Sequence, residues 1–210
     1  METNDDSILK EAVYILSNIT AGTVSQIQKV CNSNILYKLM DIINTRLGAN
    51  INTFYDEFII KDCYFCLLNS VTGGLIEIKT YLMDYKICFL DMLINGLVYY
   101  TTKKESNNLR LVNEILVVMK QFIWYEKEML IDDDVIAYKF KNSPGVIEIL
   151  EDLSLTGMNE TIVTSANQLL EVIEGFKDKD IKDIASNINI LHDVEMNDNT
   201  EDDDFRYNLN

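Results

Sequence analysis

Glu11, Tyr14 and Asn18 stand at i, i+3 and i+7 in the stretch KEAVYILSNITAG, and Asp62, Phe65 and Asn69 repeat that order and spacing in KDCYFCLLNSVTGG. Residues so spaced stack along one side of a helix, so each triplet makes a row of acid, aromatic and amide. An asparagine amide carries a donor and an acceptor and can pair with both polar groups of an extended peptide backbone. Aromatic rings flank the aliphatic stem of a long side chain and attract a cation at its end. A carboxylate beside the ring completes selection for Lys or Arg. The chemistry these rows encode is capture of an extended, Lys/Arg-rich peptide.

An asparagine late in a helix beside glycine also serves as a cap, and an aromatic one turn earlier also serves packing. The same triplet in two aligned segments favours a ligand groove. The neighbours Ala12, Ile15 and Ile19, and Cys63, Cys66 and Ser70 in the second segment, are expected on the packed side.

Apolar residues recurring at three and four predict helices near 8–20, 24–32, 35–45, 58–71, 74–83, 86–98, 108–129, 144–155 and 160–175. Turn-forming stretches, among them TGG, TKKESNN, IDDD and KNSPG, separate them. One proline and eight glycines in 210 residues suit long helices better than a turn-rich β protein. The two segments align as repeats of long helix, Gly, short amphipathic helix and second helix, with Asn18 and Asn69 51 positions apart. That exceeds the roughly 40–47 residues of armadillo and HEAT units, and an enlarged loop at RLGANINTFYDEF accounts for the difference. Two more degenerate units follow, at about 108–131 and 144–176. Residues 177–210 are expected to form a disordered acidic tail. KDKDIKDIASNINILHDV is charged with weak apolar spacing, at most a frayed helix, and EMNDNTEDDDFRYNLN is acidic, polar and poor in branched aliphatics.

A net charge of −16 opposes direct nucleic-acid binding, which relies on Lys and Arg. It favours a cationic partner. No apolar run reaches membrane-spanning length, because Asp91 and Asn95 interrupt the best one. With no secretory leader visible, a soluble intracellular chain is expected. Cys63-x-x-Cys66 lacks the second paired spacing that a four-ligand zinc site needs, so buried thiols are expected. His192, the only histidine, lies in the charged tail and supports no nucleophile–base arrangement. No cofactor, metal or enzymatic activity is expected. IDDDV at 131–135 lacks the spacing of a calcium loop, and Trp124 is expected in the core.

The string KEAVYILSNITAGTVSQIQKVCNSNI resembles the late armadillo repeats of importin α, the adaptor family that carries nuclear localisation signals. The family's pattern there is approximately Glu-Ala-x-Trp-x-x-Ser-Asn-x-x-x-Gly, followed by a helix beginning Gln-Ile. NSVTGG with the helix after it resembles the next repeat. The likeness covers nearly the whole chain, strongest over residues 10–97 and faint after 108. It implies an all-α fold, a right-handed α-solenoid of three to four armadillo repeats over 1–176, with the acidic tail after it.

By the same resemblance Asn18 and Asn69 match groove asparagines, and Glu11 and Asp62 match acidic positions. Tyr14 and Phe65 stand where the family has tryptophan, and their smaller faces attract a cation less strongly. Lys120 or Gln121 falls near the third asparagine position, so the peptide groove is expected to stop there. The implied function is a nuclear-import adaptor binding basic nuclear localisation signals, moving between cytoplasm and nucleus. The alternative is a scaffold that binds a transport factor through its C-terminal repeats without cargo. The resemblance also implies contact with an export karyopherin in the region of Glu151, Asp152 and TEDDDF. The chain is expected to represent the C-terminal part of a longer solenoid, keeping the minor cargo site and lacking the basic segment that contacts importin β. Nucleic acid and membrane are not expected as partners.

Overall fold

A computed structural model describes residues 5–48, 55–74, 86–103, 108–128, 135–156 and 159–175. All regular structure among them is helical: α1 Asp6–Thr20, α2 Val24–Cys31, α3 Ile35–Gly48, α4 Asp56–Gly73, α5 Lys86–Thr102, α6 Leu109–Glu128, α7 Val135–Asn142, α8 Val146–Leu155 and α9 Glu160–Glu174. The protein is all-α over these residues. None of these helices is long and apolar enough to cross a membrane. The helix expected at 74–83, the acidic tail and His192 lie outside the described residues.

Local chemistry sets the helix ends. Asp5 caps α1 by accepting from the Ser7 amide at 2.9 Å. Thr23 and Gln26 form a reciprocal capping box at the start of α2, the Thr23 amide donating to Gln26 Oε1 at 2.7 Å. Asn159 caps α9 through the Thr161 and Ile162 amides. Gly145 precedes α8 at φ 80°, a left-handed conformation that side chains resist.

Packing follows a recurring order. α1 lies on α4, α4 on α6, and α6 on α9, while α3 packs on α4, α5 on α6 and α8 on α9. One continuous core runs between them, with Val13, Ile43, Leu67, Leu93, Phe122 and Leu169 all fully covered. Each such side chain contributes on the order of 1.5–3 kcal/mol by leaving water. Phe89 and Phe122 stack at 4.9 Å between α5 and α6.

Three expectations about packing need correction. The buried stripe of α1 is Leu9, Val13, Leu16 and Thr20, and Ile15 is 57% exposed. At about 100° per residue this stripe lies opposite the Glu11–Tyr14–Asn18 row. On α4 the flank of Cys63, Cys66 and Ser70 is buried, with Cys66 under α1, whereas the matching flank of α1 is open at Ile15. Trp124, expected in the core, is 57% exposed. It shares the open face of α6 with Arg110, Val117 and Lys120, while Ile115, Met119 and Phe122 fill the buried face. Finally, α7 occupies residues where no helix was expected.

Candidate functional site

The two rows stand on neighbouring helices. The Cys66 thiol donates to the Val13 carbonyl at 3.6 Å, and Asn69 Nδ2 donates to the Ser17 carbonyl at 3.3 Å. Both pairings advance in the same direction along the two chains, so α1 and α4 run parallel. Glu11 is thereby set on the same end as Asp62, and Asn18 on the same end as Asn69. Glu11, Tyr14 and Asn18 are exposed, whereas Asp62, Phe65 and Asn69 are half-buried. All six residues singled out in the sequence occupy this pair of helices.

The asparagines already hold part of the fold. Asn18 Nδ2 donates to the Tyr14 carbonyl of its own helix at 2.8 Å. Asn69 donates across to α1, a role invisible in sequence because its acceptor lies 52 positions away. Each amide retains its carbonyl oxygen and one further N–H for an incoming peptide.

At the acidic end, Lys10 Nζ bonds Glu11 Oε1 at 2.8 Å and lies 5.8 Å from the centre of the Phe58 ring. Burial pushes the Asp62 carboxyl above the usual carboxylate range; Lys10 pulls it down and Glu11 pushes it up. The three charges therefore sense one another. An open depression of about 410 Å³, bounded by Ser7, Ile8, Lys10, Glu11 and Tyr55, adjoins them.

The raised Asp62 pKa has a defined consequence for stability. The folded chain favours the neutral acid, so Asp62's contribution is best below the ordinary carboxylate pKa and falls as pH rises through the higher folded value. Asp62→Asn should therefore raise the melting temperature at pH 7 by about 1–2 °C. The difference from wild type should shrink as pH falls toward the ordinary carboxylate range. Thermal melts at both pH values measure this, and a lower melting temperature for the variant at pH 7 would contradict it.

Sequence reasoning missed a second resident cation. The Arg110 guanidinium, from α6, lies 5.2 Å from the centre of the Phe65 ring. It takes the place that a peptide's basic side chain would take against that aromatic. Further along α6, Lys120 Nζ donates to Gln168 Oε1 of α9 at 2.6 Å, and burial lowers its pKa. Ser165 Oγ donates to Asn113 Oδ1 at 3.3 Å, joining the same two helices. Where the third asparagine would fall, a lysine engages a neighbouring helix.

The three cysteines whose side chains are described are packing residues in this arrangement. Cys31, Cys63 and Cys66 are free thiols in the core. Burial pushes Cys31 up to about 11 and Cys66 to about 12, which disfavours the nucleophilic thiolate. No protein-family model matches the chain, and no curated protein matches it in sequence.

Proposed function

We propose that the chain is an armadillo-type α-solenoid that holds Lys/Arg-rich segments in extended form along α1 and α4, acting as a nuclear-import adaptor. One observation carries this reading: two rows of acid, aromatic and amide lie side by side, in the same direction, on parallel packed helices. The order α2–α3–α4 and α7–α8–α9 gives three-helix units, and α4, α6 and α9 pack on one another in succession. Asn18 and Asn69 bond the peptide backbone. Tyr14 and Phe65 flank its basic side chains, and Glu11 and Asp62 meet their charges.

The resident cations set the affinity. A peptide lysine competes with Lys10 for Glu11, and a peptide arginine competes with Arg110 for Phe65. A basic peptide with two Lys/Arg clusters, titrated at low salt, should bind saturably. Asn18→Ala/Asn69→Ala should weaken it about tenfold, from the loss of hydrogen bonds at two sites. Arg110→Ala should strengthen it about two- to fivefold by opening the Phe65 ring. Absence of saturable binding by both wild type and Arg110→Ala, or a folded double variant that binds as well as wild type, rejects the groove.

The occupied Phe65 ring favours one second reading, a scaffold that grips a transport factor such as an export karyopherin through α7–α9 without carrying cargo. On that reading Arg110→Ala gains no peptide affinity, and substitution of the exposed acids Glu151 and Asp152 weakens capture of the export factor.

A further inference from the structure

Between the end of α5, the start of α6 and the face of α8 lies a cavity of about 420 Å³. This is within the range of small-molecule sites. Its wall is largely apolar, with Val112 and Leu153 among its residues, but two of the most buried polar side chains in the protein also line it. Tyr100 and Asn108 are each 1% exposed, and neither the Tyr100 hydroxyl nor either polar atom of Asn108 has a hydrogen-bond partner among the described residues. Asn108 immediately precedes α6, where an asparagine ordinarily caps by accepting from the next amides. It makes no such bond. A buried amide with neither donor nor acceptor engaged is unfavourable unless something else engages it.

The cavity also carries charge. Glu148 and Asp152, one helical turn apart on α8, both line it. Like charges at i and i+4 repel, and no ion pair relieves this pair among the described residues. Tyr100 is fixed from behind: its ring meets Tyr64 edge-on at 5.9 Å and Tyr99 at 5.0 Å. The polar floor is thus held by packing and the acids are close by on α8.

We propose that this cavity binds a small amphipathic cation. An amide-type donor–acceptor edge pairs with Asn108 and Tyr100, an apolar body fills the space between Val112 and Leu153, and a protonated amine meets Glu148 and Asp152. Negative charge at the rim disfavours phosphate and carboxylate ligands. The site is separate from the α1–α4 rows and stands whether or not those rows carry peptide.

4-(Aminomethyl)benzamide, which has one of each feature, is a direct probe for full-length protein followed by ligand-observed NMR and calorimetry. Saturable binding on the order of 1 mM or tighter is expected for a ligand of this size. Benzamide, lacking the amine, should bind about tenfold more weakly, and 4-carbamoylbenzoate, carrying the opposite charge, should not bind. Glu148→Gln/Asp152→Asn should bring the amine down to the affinity of benzamide. Asn108→Leu, which keeps the branched side-chain shape with apolar tips, should abolish binding yet raise the melting temperature by about 2–4 °C, because an unengaged buried amide is removed. A structural role for Asn108 would instead lower the melting temperature, and that result overturns the proposal. So does a probe that fails to saturate, that binds the Asn108→Leu protein equally, or that binds no better than its neutral and anionic analogues.

Discussion

Arg46→Met should lower the folding stability by about 3 kcal/mol, one of the two largest effects expected in this chain. Arg46 sits near the end of α3, and its guanidinium reaches Asp6 at the start of α1 at 2.5 Å and Asp56 at the start of α4. The Asp56 side chain is 4% exposed, so the variant removes a cation from beside a buried carboxylate. The hydrogen bond to Asp6, with a further one to Asp56, outweighs the opposing effect of burial and raises the guanidinium pKa. Lysine should rescue little, since one ammonium cannot reproduce a planar fork that addresses two carboxylates. Arg46→Met/Asp56→Asn should recover much of the loss, because the buried charge then disappears with its partner. Urea denaturation of the three variants measures this, and a loss below about 1 kcal/mol for Arg46→Met would show that water already screens the pair. The same contact ties the start of α1 to the start of α4, so on the proposed function the variant should also weaken peptide binding along the two rows.

The way Arg46 joins three helices shows what periodicity can and cannot reveal. Eight of the nine described helices follow from apolar spacing, because each presents a buried stripe long enough to read. α7 does not, since its buried Val135, Ile136 and Ala137 are consecutive rather than spaced at three and four, and Lys139 and Lys141 fill its last turn. Its start is held from outside: the Ile136 amide donates to both Glu126 carboxylate oxygens, at 3.0 and 3.2 Å, from a buried residue of α6. A cap supplied across a tertiary contact leaves no local pattern.

The rows themselves were legible because the chain states them twice, and repetition separates a pattern from coincidence. Their occupancy was not. Whether Arg110 covers Phe65 depends on how α6 settles on α4, which no spacing within α6 encodes. Ile15 was misread for a related reason. Its equivalent on α4, Cys66, is buried by α1, and that burial belongs to the neighbour rather than to the helix. The cavity beside Asn108 was invisible altogether, since it arises where three helix segments meet and its polar floor comes from residues eight apart in sequence.

Gly96→Ala should lower stability by about 2–3 kcal/mol, through overpacking rather than loss of contact. A methyl group built on Gly96 would stand 2.6 Å from the Tyr64 ring, so ring or helix must move. The ring has nowhere easy to go. Tyr64 is fully buried, its hydroxyl donates to the Met92 carbonyl at 2.7 Å, and its far side meets Tyr100. Glycine is required here for close approach of α5 to α4, not for backbone conformation, because it lies within a regular helix. Tyr64→Leu should itself destabilise, yet adding Gly96→Ala to it should cost less than in wild type, since the smaller side chain leaves room for the methyl. Additive losses in that double-mutant cycle would place the strain elsewhere. The position of Tyr64 makes the prediction functional as well. It precedes Phe65 on α4 and touches Tyr100 in the cavity floor, so a displaced ring disturbs both places. Gly96→Ala should therefore weaken the basic peptide and the amine probe together, whereas Asn108→Leu should affect the probe alone.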